Sequence, residues 1–353
     1  MPDPGGAGVR GRRVRVAVVG TGHLGRHHAR ILASLPQAEL VAVSDADPAA
    51  GRAVADAVKS PFVGAPENLD DRTLDAVSIA APTVHHHALA KRFLERGVSV
   101  LVEKPMTSTL AEAEDLVAIA RARGLVLMVG HVERFNPAVV SVLRMGLRPR
   151  YIEAQRISPY SFRSGDIGVV HDLMIHDLDI VLQLVPSELE RVDAVGVPVL
   201  TAKEDIANAR LTFRDGAVAS LTASRVSMKV QRTMRLFATE GYISLDYGKR
   251  SGVVYKKRPG FDEAVLALRG RKPGEIADPT AAVFGELLEV DALELPEEAE
   301  EGGGEPLRAE LEAFVASVAS GSEPPVPGEH GVRAMRAAAK VLEAIETSLA
   351  RLR

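Results

Sequence analysis

The segment GVVHDLMIHDLDIVLQLV, residues 168–185, places acids and histidines within an apolar, helix-like pattern. Asp172 and His176 are four residues apart, so on an α-helix they lie one above the other, with Asp179 close by. An imidazole beside a carboxylate can accept a proton while the carboxylate orients the ring. Such pairs are more often satisfied structural contacts than catalysts, so the spacing alone leaves both interpretations open.

A glycine-rich turn is the second candidate site. Gly20, Gly22 and Gly25 form G-x-G-x-x-G in VRVAVVGTGHLGRHHARIL, directly after a strand pattern and at the start of a helix pattern. Glycines allow a tight turn and close backbone approach, and a helix N-terminus presents N–H groups to a pyrophosphate. The pattern predicts dinucleotide contacts at Gly20, Thr21, Gly22, His23, Leu24 and Gly25.

Asp45 ends the second strand pattern, in AELVAVSDAD. A carboxylate at this place accepts hydrogen bonds from the adenosine ribose hydroxyls and repels a 2′-phosphate. The sequence therefore favours NAD as the cofactor over NADP.

The elements around these residues predict two domains in a chain of 353 residues. Residues 14–137 alternate apolar strand runs with helix patterns, which predicts a parallel sheet covered by helices on both faces. After residue 137 alternating strands dominate, and Asp215-Gly216 marks a hairpin turn. The expected fold class is α/β, with an N-terminal Rossmann dinucleotide-binding domain (14–137), a C-terminal α+β domain (138–353) with an open, mainly antiparallel sheet, and a disordered leader (1–13).

Composition excludes several functional classes. There is no cysteine and the formal net charge is −4, so disulfides, thiolate zinc sites, cysteine nucleophiles and a nucleic-acid footprint are not expected. No apolar run is long enough for a membrane span, and we expect a cytoplasmic protein. The consecutive His85, His86 and His87 fan out on a helix and cannot converge on one ion, so no metal site is predicted.

Three further segments carry a family resemblance. SIAAPTVHHHALA, EKP at Glu103 to Pro105 and HDLMIHD follow the glycine motif in this order, and the set resembles the Gfo/Idh/MocA family of oxidoreductases over nearly the whole chain. The resemblance implies that Lys104, Asp172 and His176 are catalytic. It adds cofactor contacts at Ala81, Pro82, Thr83, His86, Glu103 and Lys104, with Ala81 standing where threonine is common.

The resemblance also implies a reaction. Oxidation of a secondary alcohol needs a base for the hydroxyl proton, a donor for the developing alkoxide and a nicotinamide ring for the hydride. His176 suits the base, Asp172 would support its charged form, and Lys104 would hydrogen-bond the reacting oxygen. The enzyme expected is an NAD(P)-dependent dehydrogenase acting on CH–OH groups.

Substrate class is predicted from the second domain. GHVERFNPAVVSVL, the residues before HDLMIHD, and ASRVS resemble bacterial family members that oxidise C3 of UDP-N-acetylglucosamine-type sugars. Arg134, Arg156, Arg163 and Arg225 would suit a diphosphate, unless they are salt-bridged arginines. Predicted substrate contacts are Arg134, Asn136, Tyr160, Arg163, Asp172, His176 and Arg225, and both Arg134 and Asn136 could equally touch nicotinamide.

Two other functions remain open from the sequence. One is a free sugar or inositol dehydrogenase, indifferent to UDP. The other is a noncatalytic NAD-binding regulator, which is less favoured because Lys104, Asp172 and His176 are all present. The expected partners are a small-molecule sugar or nucleotide sugar and further copies of the chain, since an exposed sheet face commonly mediates dimers or tetramers in this family.

Overall fold

The computed structural model describes residues 12–161, 167–271, 278–296 and 305–350. The strands are β1 (Val14–Val19), β2 (Ala38–Ser44), β3 (Ala76–Ile79), β4 (Ser99–Glu103), β5 (Leu127–Gly130), β6 (Tyr151–Ile157), β7 (Leu189–Val197), β8 (Ile206–Phe213), β9 (Val218–Ser224), β10 (Gln231–Phe237), β11 (Gly241–Asp246), β12 (Ser251–Lys257) and β13 (Leu288–Ala292). The α-helices are α1 (Gly25–Ser34), α2 (Pro48–Val58), α3 (His86–Glu95), α4 (Leu110–Arg123), α5 (Pro137–Arg144), α6 (Ile175–Leu184), α7 (Phe261–Gly270), α8 (Pro279–Ala282), α9 (Pro306–Ser320) and α10 (Gly328–Ala350). None of the described helices combines the length and apolarity needed to cross a bilayer.

Two compact units are formed. The first contains the described residues of 1–135 and 304–337, and the second contains those of 136–303 and 338–353. In the first unit, parallel strands follow the order β2-β1-β3-β4-β5. Every residue of β3, β4 and β5 is buried, as expected for a parallel sheet covered on both faces.

Local sequence signals explain where the helices of this unit begin and end. The hydroxyl of Thr109 accepts from the Glu112 N–H while the Glu112 side chain accepts from the Thr109 N–H, which is a capping box at the start of α4. Gly124 ends α4 in the left-handed conformation, at φ +62°. At the start of α2 the Asp47 side chain accepts from the N–H groups of Ala49 and Ala50, and Pro48 follows in the first turn.

The second unit is built on an eight-stranded sheet with the order β13-β12-β11-β10-β6-β9-β8-β7. Its pairs are antiparallel except β6 with β9. Burial alternates along β6, where Ile152 and Ala154 lie in the core. The predicted turn at Asp215-Gly216 joins β8 to β9, with Gly216 at φ +83°. The predicted fold class, a Rossmann domain followed by a mainly antiparallel α+β domain, is confirmed.

The division of the chain differs from the sequence prediction at both ends. The prediction placed all of 138–353 in the second domain, but α9 and α10 as far as Ala337 belong to the first unit. The reason is burial: Leu311 and Phe314 are fully buried, and the Val129 N–H donates to the Val326 carbonyl. A segment that follows the second sheet thus completes the first core. Residues 1–11 of the predicted leader lie outside the described residues, whereas Arg12 forms an ion pair with Asp75 at 2.6 Å.

Candidate active site

The glycine-rich turn has the shape that a dinucleotide requires. Gly20 has φ +90°, and a Cβ there would lie 2.7 Å from the Ala80 carbonyl carbon. A Cβ on Gly25 would lie 1.8 Å from the Gly20 carbonyl oxygen, whereas one on Gly22 would have no neighbour within 4 Å. Close packing therefore requires glycine at positions 20 and 25. Gly22 instead leaves open space beside the start of α1. That open cradle fits a pyrophosphate approaching the backbone.

Asp45 is anchored to the same turn. Its carboxylate accepts from the N–H and the hydroxyl of Thr21, each at 2.6 Å, and from the Asp47 N–H at 2.8 Å. Burial alone would raise the pKa of Asp45, but the Thr21 hydroxyl and the two N–H groups hold the pKa below its ordinary value. The group is thus an ionised acceptor beside the glycine turn, which fits ribose hydroxyls.

The contrast between Gly22 and Gly25 gives a prediction. We expect Gly22→Ala to weaken NAD binding about tenfold or more, or about 1.4 kcal/mol, and to change the free energy of unfolding by less than about 0.5 kcal/mol. Gly25→Ala, whose methyl group would meet the Gly20 carbonyl, should lower stability by about 1–3 kcal/mol or more. Calorimetric titration with NAD and urea unfolding measure the two effects. Wild-type NAD affinity in Gly22→Ala would contradict the assigned cradle.

The loop after β3 is held by His86. Its Nε2 lies 2.8 Å from the Ala81 carbonyl oxygen and its Nδ1 lies 3.0 Å from the Pro105 carbonyl oxygen. Burial lowers the pKa of His86 although both carbonyls favour the charged form. His86 is 1% exposed. Its contacts hold the loop at Ala81 beside the loop at Pro105. Pro82 and Thr83, at the start of a short 3₁₀ turn, are less buried.

Glu103 and Lys104 follow β4 with different surroundings. The Glu103 carboxylate is 6% exposed and accepts from His28 Nε2 at 3.1 Å and from the Lys104 backbone N–H at 3.3 Å. Its side chain therefore points into the core and fixes the backbone of Lys104. Lys104 is itself only partly buried. Contact of Glu103 with the cofactor remains a prediction.

The helix that carries Asp172 and His176 begins differently from the expected α-helix. Val170–Met174 forms a π-helical turn, which continues into α6 at Ile175. A π turn contains more residues than an α turn, and single π turns are frequent at functional sites. The pairing of Asp172 with His176 stays a prediction. Asp172 and His176 are both half-buried, whereas Asp179 is 2% exposed.

Two of the four arginines considered for substrate are buried in ion pairs. Arg156 donates to Asp177 at 2.9 and 3.1 Å, and Arg225 donates to Asp205 at 2.7 Å. The Arg225 guanidinium is also bonded to the Ile167 carbonyl and lies 5.5 Å from the Tyr160 ring centroid. These ion pairs account for the buried positive charges of Arg156 and Arg225 without a bound substrate.

The other predicted substrate residues are placed as follows. Asn136 is 4% exposed, caps α5 by accepting from the Ala138 N–H, and donates to the Tyr247 carbonyl. Arg134 and Tyr160 are half-buried. Arg163 lies outside the described residues. The substrate roles of these residues remain predictions.

Sequence analysis missed Glu310 of α9. This carboxyl group is fully buried among the side chains of an apolar helix face. The available signal was helical periodicity, because Glu310 and Phe314 are one turn apart, in line with Leu311 and Val315. An acidic residue on the apolar face of a helix pattern predicts a buried carboxyl group.

Comparison with known proteins agrees with this arrangement. Residues 14–131 match an oxidoreductase family with an NAD-binding Rossmann fold, and residues 147–244 match the GFO/IDH/MocA C-terminal domain. The chain is 36% identical over 339 residues to the UDP-N-acetylglucosamine 3-dehydrogenase of Acidithiobacillus ferrooxidans, covering 96% of this chain and 99% of that protein. A solved structure of UDP-N-acetylglucosamine 3-dehydrogenase from the same organism has a TM-score of 0.81 at 34% identity, covering 95% of this chain and 98% of that one.

A further relative has a different substrate in its name. The scyllo-inositol 2-dehydrogenase (NAD(+)) of Bacillus subtilis is 32% identical over 240 residues, or 61% of this chain and 68% of that protein. With its glycine turn, its EKP segment and both domain matches, the chain belongs to the Gfo/Idh/MocA family of NAD-binding oxidoreductases.

Proposed function

We propose that this protein is an NAD-dependent dehydrogenase that oxidises the C3 hydroxyl of a UDP-N-acetylglucosamine-type nucleotide sugar. The observation that carries the proposal is the 36% identity with a UDP-N-acetylglucosamine 3-dehydrogenase over 99% of that protein's length. Likeness of this extent includes the second domain, which selects the substrate in a two-domain dehydrogenase of this kind.

Three side chains carry the proposed chemistry. His176 accepts the proton of the substrate hydroxyl, and Asp172 orients the imidazole and supports its positive charge. The ammonium group of Lys104 donates a hydrogen bond to the oxygen that becomes a carbonyl. NAD, when bound, supplies the nicotinamide ring that accepts the hydride.

The cofactor assignment rests on Asp45. Its carboxylate is ionised and is fixed beside the glycine turn by Thr21 and Asp47. A negative charge here repels the 2′-phosphate of NADP and accepts hydrogen bonds from the ribose of NAD. We therefore propose NAD over NADP.

The substrate proposal does not depend on Arg156 or Arg225, because buried aspartates already neutralise both. Arg134 and Tyr160 remain proposed substrate contacts, and so does Arg163. Homo-oligomers are also proposed, and a row of stacked, half-buried rings on the outer sheet face supports self-association, with centroids 4.8–5.7 Å apart along Tyr151, Phe237, Tyr242 and Tyr255.

A free inositol or sugar dehydrogenase is the second candidate. The observation in its favour is the 32% identity to scyllo-inositol 2-dehydrogenase. That match covers 61% of this chain, so the resemblance supports the shared chemistry more strongly than the shared substrate.

The direct test is to mix the purified protein with NAD and UDP-N-acetylglucosamine and to follow NADH absorbance. Parallel samples contain N-acetylglucosamine without UDP, scyllo-inositol, and NADP in place of NAD. We expect NADH to form only with the nucleotide sugar, at least as a burst of about one equivalent, because alcohol oxidation by NAD is unfavourable near neutral pH. NADH formation from inositol alone would move the assignment to the second candidate, and tight NAD binding without turnover of any alcohol would favour a noncatalytic regulator.

A further inference from the structure

Three buried titratable side chains meet inside the first unit, and none of them is used directly in the proposed reaction. They are His28 of α1, Glu103 at the end of β4 and Glu310 of α9, with exposed fractions of 0%, 6% and 0%. One nitrogen or oxygen atom from each residue lies within 4.8 Å of those from the other two. The cluster therefore joins three elements beneath the backbone of Lys104.

Hydrogen bonds are distributed unequally within this cluster. Glu103 accepts from His28 Nε2 at 3.1 Å and from the Lys104 N–H at 3.3 Å, while His28 Nδ1 lies 2.7 Å from the Ser78 hydroxyl. Both carboxyl oxygens of Glu310 are buried, and no N–H or O–H group of the described residues donates a hydrogen bond to them. An ionised carboxylate in that position would lack any compensation for its lost hydration.

This inequality decides which carboxyl group carries a proton. Two carboxyl groups that are close together in a low-dielectric interior share one proton, because both cannot ionise. The N–H donors at Glu103 stabilise its anion, so the proton belongs to Glu310. In agreement, burial and the negative charge of Glu103 raise the pKa of Glu310 well above its ordinary value.

We propose that Glu310 is a positioning residue for Lys104: its protonated carboxyl group donates a hydrogen bond to Glu103, which in turn accepts from the Lys104 backbone N–H. The lack of a side chain at Gly130 leaves room for this orientation of Glu103, since a Cβ on Gly130 would lie 2.9 Å from the Glu103 carboxyl carbon. The link from Glu310 to catalysis rests on the function proposed for Lys104. The protonation of Glu310 does not depend on that proposed function.

Several other titratable groups on the elements around Glu310 have partners of their own: Arg15 pairs with Asp75, Arg30 with Glu305 and Arg308 with Glu312. Glu103 is the one whose charge acts on Glu310. The remaining groups on α1, β1, α9 and the turn at 132–135 that packs on α9 are Arg26, His27, Arg30, Arg15, Arg308, Glu312, Glu133 and Arg134.

The first test compares stability with pH in wild type and Glu310→Gln, with Glu312→Gln on an exposed part of the same helix as the control. A group whose pKa is raised on folding contributes stability below its unfolded pKa and loses it as pH rises towards the folded pKa. We therefore expect the ratio of the folding equilibrium constant of Glu310→Gln to that of wild type to increase with pH. The increase should be up to about tenfold per pH unit above about pH 4.5. Glu312→Gln should show no such trend, and parallel curves for wild type and Glu310→Gln would overturn the proposal.

The second test detects the proton itself. The infrared difference spectrum between wild type and Glu310→Gln at neutral pH should contain the carbonyl stretch of a protonated carboxylic acid. Its absence would show an ionised Glu310. Metal analysis of the same samples completes the test, because a stoichiometric metal ion lost in Glu310→Gln would replace the shared proton by a shared cation and overturn the proposal.

The third test reports on Lys104. Hydrogen exchange at the Lys104 backbone N–H should be several-fold faster in Glu310→Leu, which has no donor, and should return to the wild-type rate in Glu310→Gln. In the assay above, Glu310→Leu should lower kcat more than it raises KM for NAD, with rescue by glutamine. Unchanged exchange in both variants would contradict the positioning role. If no alcohol is turned over, the exchange and infrared results still decide the inference, so its failure and that of the proposed function are distinguishable.

Discussion

Replacement of His176 by alanine is expected to lower kcat/KM for the nucleotide sugar by about 10²–10⁴-fold, because a positioned general base contributes this much to proton transfer. His176 is half-buried on the helix that begins with a π turn, so loss of the ring should affect stability far less than activity. The measurement is NADH formation under initial-rate conditions, with urea unfolding of the same sample. The matched control is His87→Ala, which removes a half-buried histidine bonded to Asp115 at 2.8 Å.

A double-mutant cycle can show whether Asp172 acts through His176 or directly on the substrate. If Asp172 acts by orienting and supporting the His176 ring, Asp172→Asn should lower kcat/KM, and the double variant should lose little more than His176→Ala alone. Independent, multiplicative losses would mean that Asp172 acts on the substrate by itself. Near-wild-type rates in His176→Ala would remove the proposed base.

Replacement of Arg225 by alanine is expected to lower the free energy of unfolding by about 3–5 kcal/mol, because it leaves the partner charge buried without compensation. Asp205 is fully buried and accepts from Arg225, from the Thr201 hydroxyl and from the N–H groups of Val199, Leu200 and Thr201. The pair therefore holds the turn after β7 against the end of β9. Urea unfolding monitored by circular dichroism measures the change.

Arg214 and Glu188 provide a matched control in the same unit. Their ion pair has the same 2.7 Å separation as Arg225 and Asp205, but both of its side chains are about 70% exposed. Arg214→Ala should therefore cost at most about 1 kcal/mol. Equal losses in the two variants would show that burial is not what makes the Arg225 pair important.

Acid titration should support this account of Asp205. Burial would raise its pKa, but the three backbone N–H groups and the Arg225 guanidinium together hold the pKa well below its ordinary value. A group whose pKa is depressed on folding contributes stability above its unfolded pKa, about 3.9 for aspartate, and loses it as pH falls towards the folded pKa. The stability that ionised Asp205 contributes to the wild type should therefore persist to about pH 4 and decline only below it.

Local sequence patterns were sufficient for several features. The G-x-G-x-x-G spacing predicted the turn in which Gly20 adopts φ +90° and Gly25 packs on the Gly20 carbonyl. Asp215-Gly216 predicted the hairpin between β8 and β9, and uninterrupted apolar runs predicted the buried parallel strands. Each of these signals depends on backbone conformation or periodicity within a few residues, and such preferences are present in the sequence before the chain folds.

Contacts between distant segments did not follow from these patterns. Glu310 lies 207 residues after Glu103 in the chain, yet both are buried in one cluster, and α9 belongs to the first unit although it follows the second sheet. Arg225 looked like a cation for substrate, but tertiary packing pairs it with Asp205. The sequence by itself determined the glycine turn and the fold class, because short-range spacing and periodicity encode them. The catalytic roles of Lys104, Asp172 and His176 came from the family resemblance and stay predictions. Only the tertiary structure decided which charges are neutralised and which proton is shared, because these depend on burial and on neighbours that chain separation does not reveal.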